Sequence, residues 1–171
     1  MRNILFAVVL FVETSALSPL AAQEWTRFRG PNGSGIGKGS AIPIRFSEAD
    51  YNWKIKLPGI GHSSPILWGA KIFTTSGDEQ TGQRLLFCID AHSGKILWRK
   101  VHEGKQHRKH RDNSFASATP TADQYHVYVT WGGPTDYLVM AYTHEGKEVW
   151  RRDLGPYQSG HGFGVSPDHL P

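Results

Sequence analysis

The longest uninterrupted apolar run lies at the start of the chain. Residues 4–12 read Ile-Leu-Phe-Ala-Val-Val-Leu-Phe-Val, preceded by Arg2 and ended by Glu13. Beyond residue 50 the pattern changes to short stretches in which β-branched or aromatic residues alternate with polar ones. Alternation of period 2 over such lengths is a strand signal. It predicts strands near 64–67, 71–76, 84–90 and 95–101, the last two joined by a hairpin whose turn contains Gly94. A glycine there adopts a positive φ at no steric cost.

The same pattern then recurs. Ser64-Pro65-Ile66-Leu67-Trp68 with its following strand matches Thr119-Pro120-Thr121-Ala122-Asp123 with its own; Pro65 and Pro120 are 55 apart, as are Ile72 and Val127. The second half reads FCIDAHSGKILWR at 87–99 and VMAYTHEGKEVWR at 139–151, a spacing of 52 set by Gly94 with Gly146 and Trp98 with Trp150. That spacing places Tyr142 opposite Asp90. The three-residue difference falls in a polar loop, between Ser76 and Arg84 in one copy and between Trp131 and Asp136 in the other. Loops are where a repeat array absorbs length variation.

Four short strands and a period of about 50 are the signature of propeller blades. The expected fold is therefore all-β: a partial β-propeller of about two four-stranded antiparallel blades, near 63–101 and 118–154, plus flanking strands. Residues 51–57 read as an orphan outer strand, the last strand of a unit with no three strands preceding it, with Trp53 matching Trp98 and Trp150. Ser166-Pro167 matches Ser64-Pro65, so a third blade is expected to begin near 166. Three segments result: a signal peptide at 1–22, an irregular Gly-rich lead-in at 23–50, and an incomplete propeller at 51–171.

The leader follows from Arg2, the apolar core and Leu20-Ala21-Ala22 before Gln23, with cleavage expected after Ala22. Its core is shorter than the roughly 20 residues a membrane-spanning helix needs. No cysteine follows it, so no lipid anchor is expected. The expected location is periplasmic or secreted. Composition agrees with a globular β protein: 39% hydrophobic, 20% charged, with 19 glycines and a formal net charge of +4. The positive charge is spread along the chain, which does not make a nucleic-acid footprint. The single cysteine, Cys88, excludes an intrachain disulfide and a cysteine-based metal site, and reads as a small buried hydrophobe.

Candidate chemistry is sparse. His102, His107 and His110 lie in a run with Lys105, Arg108, Lys109 and Arg111. Two of these imidazoles have ligand spacing, but the cationic neighbours disfavour a divalent ion. The run is expected to be a solvated inter-blade loop, with an anion or polysaccharide patch as the functional alternative. His62 and His161 precede Ser-Pro motifs and are expected to be buried and hydrogen-bonded to backbone. The glycine-rich stretch 30–40 fails the phosphate-loop test, because Gly39 rather than Ser or Thr follows Lys38. It reads as a flexible lead-in. No nucleophile-elbow, zincin or kinase signature occurs. No catalytic, cofactor-binding or metal-ligating residue is singled out.

Cys88-x-Asp90-x-x-Ser93-Gly94-Lys95-x-x-Trp98 resembles the tryptophan-docking motif of PQQ-like β-propeller repeats. The second copy keeps Gly146, Lys147 and Trp150. The segments Trp25-Thr26-Arg27-Phe28-Arg29-Gly30-Pro31-Asn32-Gly33, Gly61-His62-Ser63-Ser64-Pro65 and His161-Gly162-Phe163-Gly164 resemble exported members of that group. The resemblance covers nearly all of 25–167 and implies the opening part of an eight-bladed ring, each docking tryptophan packed on the neighbouring blade. Two function classes follow. One is a non-enzymatic exported scaffold, like the BamB-like subunit of the outer-membrane assembly machinery, binding envelope or extracellular proteins without a cofactor. The other is a quinoprotein oxidoreductase using pyrroloquinoline quinone and calcium, for which that family's vicinal cysteine pair and calcium cluster have no counterpart here.

Overall fold

In a computed structural model, the described residues are 24–30, 32–37 and 44–156. The leader, Pro31, Lys38, Gly39, His161 and Ser166-Pro167 lie outside them. After a short 3-10 turn at Glu48–Asp50, the chain forms eight strands. Strands β1 (Ile66–Trp68), β2 (Lys71–Gly77), β3 (Arg84–Asp90) and β4 (Ile96–His102) make one antiparallel sheet in sequence order; β5 (Thr121–Ala122), β6 (His126–Gly132), β7 (Tyr137–Thr143) and β8 (Glu148–Asp153) make a second. These are two propeller-type blades, each a four-stranded meander.

The side-chain alternation shows how they pack. On β3, Leu86 and Cys88 join Phe73 and Ile66 against Val127, Val129, Trp131, Met140 and Tyr142 of the second sheet. Leu85, Phe87 and Ile89 point to the opposite face. β3 is therefore buried on both sides, which is why its sequence is apolar at five consecutive positions. Cys88 lies in the inter-blade core with no exposure, and burial pushes its thiol up to about 12, so it is inert at neutral pH.

The tryptophans connect the units. Trp98, on β4, lies against the β7–β8 turn: a Cβ on Gly146 would come within 2.9 Å of its ring, and its Nε1 donates to the His144 carbonyl at 3.0 Å. Trp53 repeats this on the β3–β4 turn, where a Cβ on Gly94 would come within 2.6 Å of its ring and Nε1 donates to the Ala91 carbonyl at 2.9 Å. Both glycines have positive φ, +71° and +85°. Covering half an indole is worth roughly 2–3 kcal/mol and the hydrogen bond about 1 more.

Three features sharpen or correct the sequence expectations. Residues 51–57 form no ladder among the described residues. Trp53, Ile55 and Leu57 cover the outer face of β3 while Lys54 and Lys56 point outward, so the alternation is real and the segment stands as an orphan strand among the described residues. The lead-in is anchored where it enters: Trp25 exchanges both backbone hydrogen bonds with Leu67, and Thr26 accepts one from Ala122, tying the innermost strands of both sheets together. Finally, the second β-hairpin turn is one residue shorter. Asp90 pairs with Lys95 across the first turn and Thr143 with Lys147 across the second. Thr143, not Tyr142, therefore stands where Asp90 does. The Asp90 carboxylate accepts from Ser93 at 2.7 Å, and the Thr143 hydroxyl accepts from the Glu145 and Lys147 amides at 3.3 Å. Tyr142 is freed to face the inter-blade core.

Beside it, His102 ends β4 and is buried, 8% exposed. Its Nε2 lies 3.1 Å from the Tyr142 hydroxyl and its ring 5.6 Å from Trp131. Burial pushes its pKa down to about 4, with the Arg151 charge acting the same way.

Two outcomes are expected. Gly94→Ala places a methyl group in the Trp53 ring as well as straining φ, and should cost about 2–4 kcal/mol in chemical denaturation. Gly69→Ala has a comparable φ of +55° but nothing within 4 Å, and should cost only about 1 kcal/mol. For His102, the unfolded chain takes up the proton near pH 6.5 and the folded one only near 4. Stability is full above 6.5 and falls by about 3 kcal/mol as pH drops to 4. Thermal melting from pH 7 to 4.5 should show this loss, and His102→Gln should remove most of it.

Candidate inter-blade cleft

The antiparallel order sends the docking turns to one end of the sheets and the β2–β3 loop, the β4–β5 connector and the β6–β7 loop to the other. At this second end a cleft of about 560 Å³ opens between the sheets. Its walls include Arg84, Lys105, Gln106, His107, Gly133 and Asp136.

Arg84 begins β3, pairs in register with His102, and is only 2% exposed. Its guanidinium lies between Gly104 and Gly133: a Cβ on either glycine would be 3.5 Å from it. Its Nη2 donates to the Gly132 carbonyl at 2.9 Å, across the blade boundary. Its Nε is buried without an acceptor, and Arg84 joins none of the ion pairs among the described residues. Burial lowers its pKa below the ordinary arginine value, while the Asp136 charge opposes that shift. A guanidinium stays protonated even so.

The connector that forms the opposite wall is held in place. Gln106 donates to the Glu79 carbonyl at 2.6 Å, and Lys109 pairs with the Glu79 carboxylate at 2.8 Å and donates to the Asn113 carbonyl at 2.8 Å. The His107 ring meets Phe115 edge-on at 4.9 Å, and burial holds its pKa below the usual histidine range.

The structure thus separates the three histidines grouped by sequence. His102 is in the core, His107 lines the cleft, and His110 is exposed beside Asp112 at 3.6 Å. Among the described residues no three His, Cys, Asp or Glu side chains converge as a metal site. His62 is exposed rather than buried; its backbone amide, not its ring, makes the bond, to the Ala116 carbonyl at 3.0 Å. The serine–threonine match across units is direct, since the Ser64 amide donates to the Thr119 hydroxyl at 3.0 Å. Arg84 is the residue the sequence did not single out. It reads as an ordinary polar strand start, and the connector after β4 and the β6–β7 loop of the neighbouring unit bury it.

A family model described as outer membrane protein assembly factor BamB, of PQQ-like repeats, matches residues 45–168. No curated protein matches. Among solved structures, a quinohemoprotein alcohol dehydrogenase from Pseudomonas putida HK5 is similar at 26% identity and a TM-score of 0.38, over 52% of this chain and 12% of that one. A europium-containing methanol dehydrogenase is similar at 22% identity and a TM-score of 0.40, over 53% of this chain and 15% of that one. The chain spans a small part of the length of either. The one cysteine is sealed in the inter-blade core, so no thiol lines the cleft, where the carboxylates are Glu103 and Asp136. With two four-stranded blades joined by a docked tryptophan and a family match across most of its length, the chain belongs to the PQQ-like β-propeller repeat family of outer membrane protein assembly factor BamB.

Proposed function

We propose that this chain is part of an exported, non-enzymatic β-propeller scaffold that binds other proteins of the cell envelope. The match of 45–168 to a family described as an assembly factor carries this reading. Two observations support it. The leader pattern at 1–22 is that of a secreted protein. The loops at the end opposite the docking turns present an exposed, mixed-charge surface on a rigid frame, the arrangement by which repeat proteins offer partners a broad face.

Expression of the full chain with its leader in a two-membrane bacterium tests both halves. The expected outcome is a soluble envelope or secreted fraction whose N-terminus is Gln23, and specific co-purification of envelope proteins after cross-linking. A product retained in the cytoplasm with its leader intact would overturn export. Dye reduction with alcohols on addition of pyrroloquinoline quinone and calcium would overturn the non-enzymatic reading.

A further inference from the structure

A buried arginine without an anionic partner is an unusual arrangement. Transferring a charge out of water costs several kcal/mol unless hydrogen bonds and a counter-charge offset it. Arg84 is 98% buried by the measure of its 2% exposure, yet one carbonyl is its only acceptor among the described residues. Asp136 is near enough to be felt but forms no ion pair with it. The guanidinium instead lines a cleft of about 560 Å³, where the residues nearest it on either side, Gly104 and Gly133, carry no side chain.

The other wall brings a second cation, Lys105, on a connector fixed by Gln106 and Lys109 against Glu79. We infer that the inter-blade cleft is a carboxylate-binding subsite, in which Arg84 supplies a planar donor fork and Lys105 a mobile ammonium.

The charge balance selects the ligand. Arg84 and Lys105 face Asp136 and Glu103 around the same cleft. Glu103 is drawn to the rim by Gln83 at 3.2 Å. Two acidic side chains beside the site repel a dianionic phosphate more than a singly charged carboxylate. A guanidinium matches the two oxygens of a carboxylate in parallel hydrogen bonds, which are stronger than neutral ones. The site does not depend on the scaffold reading: a cleft that binds no carboxylate leaves export and partner capture untouched.

Acetate and two short blocked peptides, one containing glutamate and one glutamine in its place, serve as probes for the full chain. Binding is followed by amide NMR shifts at fixed ionic strength and pH 7. The glutamate peptide should bind with shifts at Gly104, Lys105, Gly133 and Asp136, and the glutamine peptide at least about tenfold more weakly. Acetate binding at the same amides identifies a free carboxylate as sufficient; binding of the glutamate peptide alone identifies a peptide source. Arg84→Met should abolish binding. Because that variant alters a buried position, two exposed or half-buried changes test the idea with opposite signs. Lys105→Ala should weaken binding several-fold and Asp136→Asn should tighten it several-fold. Equal affinity for both peptides, no binding of any probe, or no response to either of these two variants would overturn the proposal.

Discussion

The stacking of an indole on the turn glycine of the following unit is the contact on which this fold depends. A meander of four short strands cannot bury both faces by itself, and its hydrophobic residues on β3 need cover on both sides. The docked tryptophan sets where that cover comes from. Its ring fits only where no Cβ exists, and its N–H reaches only a carbonyl left open by a tight turn. Gly94 under Trp53 and Gly146 under Trp98 meet both conditions. Each contact fixes the angle and register of one unit on the next, and the inter-blade core of Phe73, Leu86, Cys88, Val129, Trp131 and Met140 fills the space so defined.

Fixing one end of the sheets leaves the other free to vary. The docking turns differ by one residue, and the difference is absorbed locally by Thr143 taking over the turn-stabilising role of Asp90. At the opposite end the β2–β3 and β6–β7 loops differ in length, and the connector after β4 fills the gap unequally. The cleft and the buried guanidinium of Arg84 arise there. Geometry conserved by packing at one edge and diversity of side chains at the other is how a repeat fold separates structure from recognition.

Most of the fold was legible in the sequence, because its determinants are periodic. Strand alternation, the turn glycines and the recurring Trp53 and Trp98 each state a local rule that the structure obeys. One reading failed where the rule was not local. The 52-residue spacing aligned Tyr142 with Asp90, since a turn shortened by one residue leaves the glycine and tryptophan matches intact and shifts only what precedes them. The alternation of 51–57 reports which of its side chains are covered, and the segment stands without a ladder partner among the described residues, as expected. The cleft was not legible at all. Arg84, His107 and Asp136 are far apart in sequence and come together only through inter-unit packing, and no spacing rule encodes the burial of an arginine by another unit's loop.

The docking contact can be measured directly as a coupling. The cost of Gly146→Ala in chemical denaturation is compared in the natural sequence and in a Trp98→Ala background. If the glycine is required by the ring above it, the two changes are strongly non-additive, and the penalty falls by at least about 1 kcal/mol once the ring is gone, leaving only the strain of a positive φ. An unchanged penalty would show that Gly146 serves its turn alone and would contradict the role given to the tryptophan.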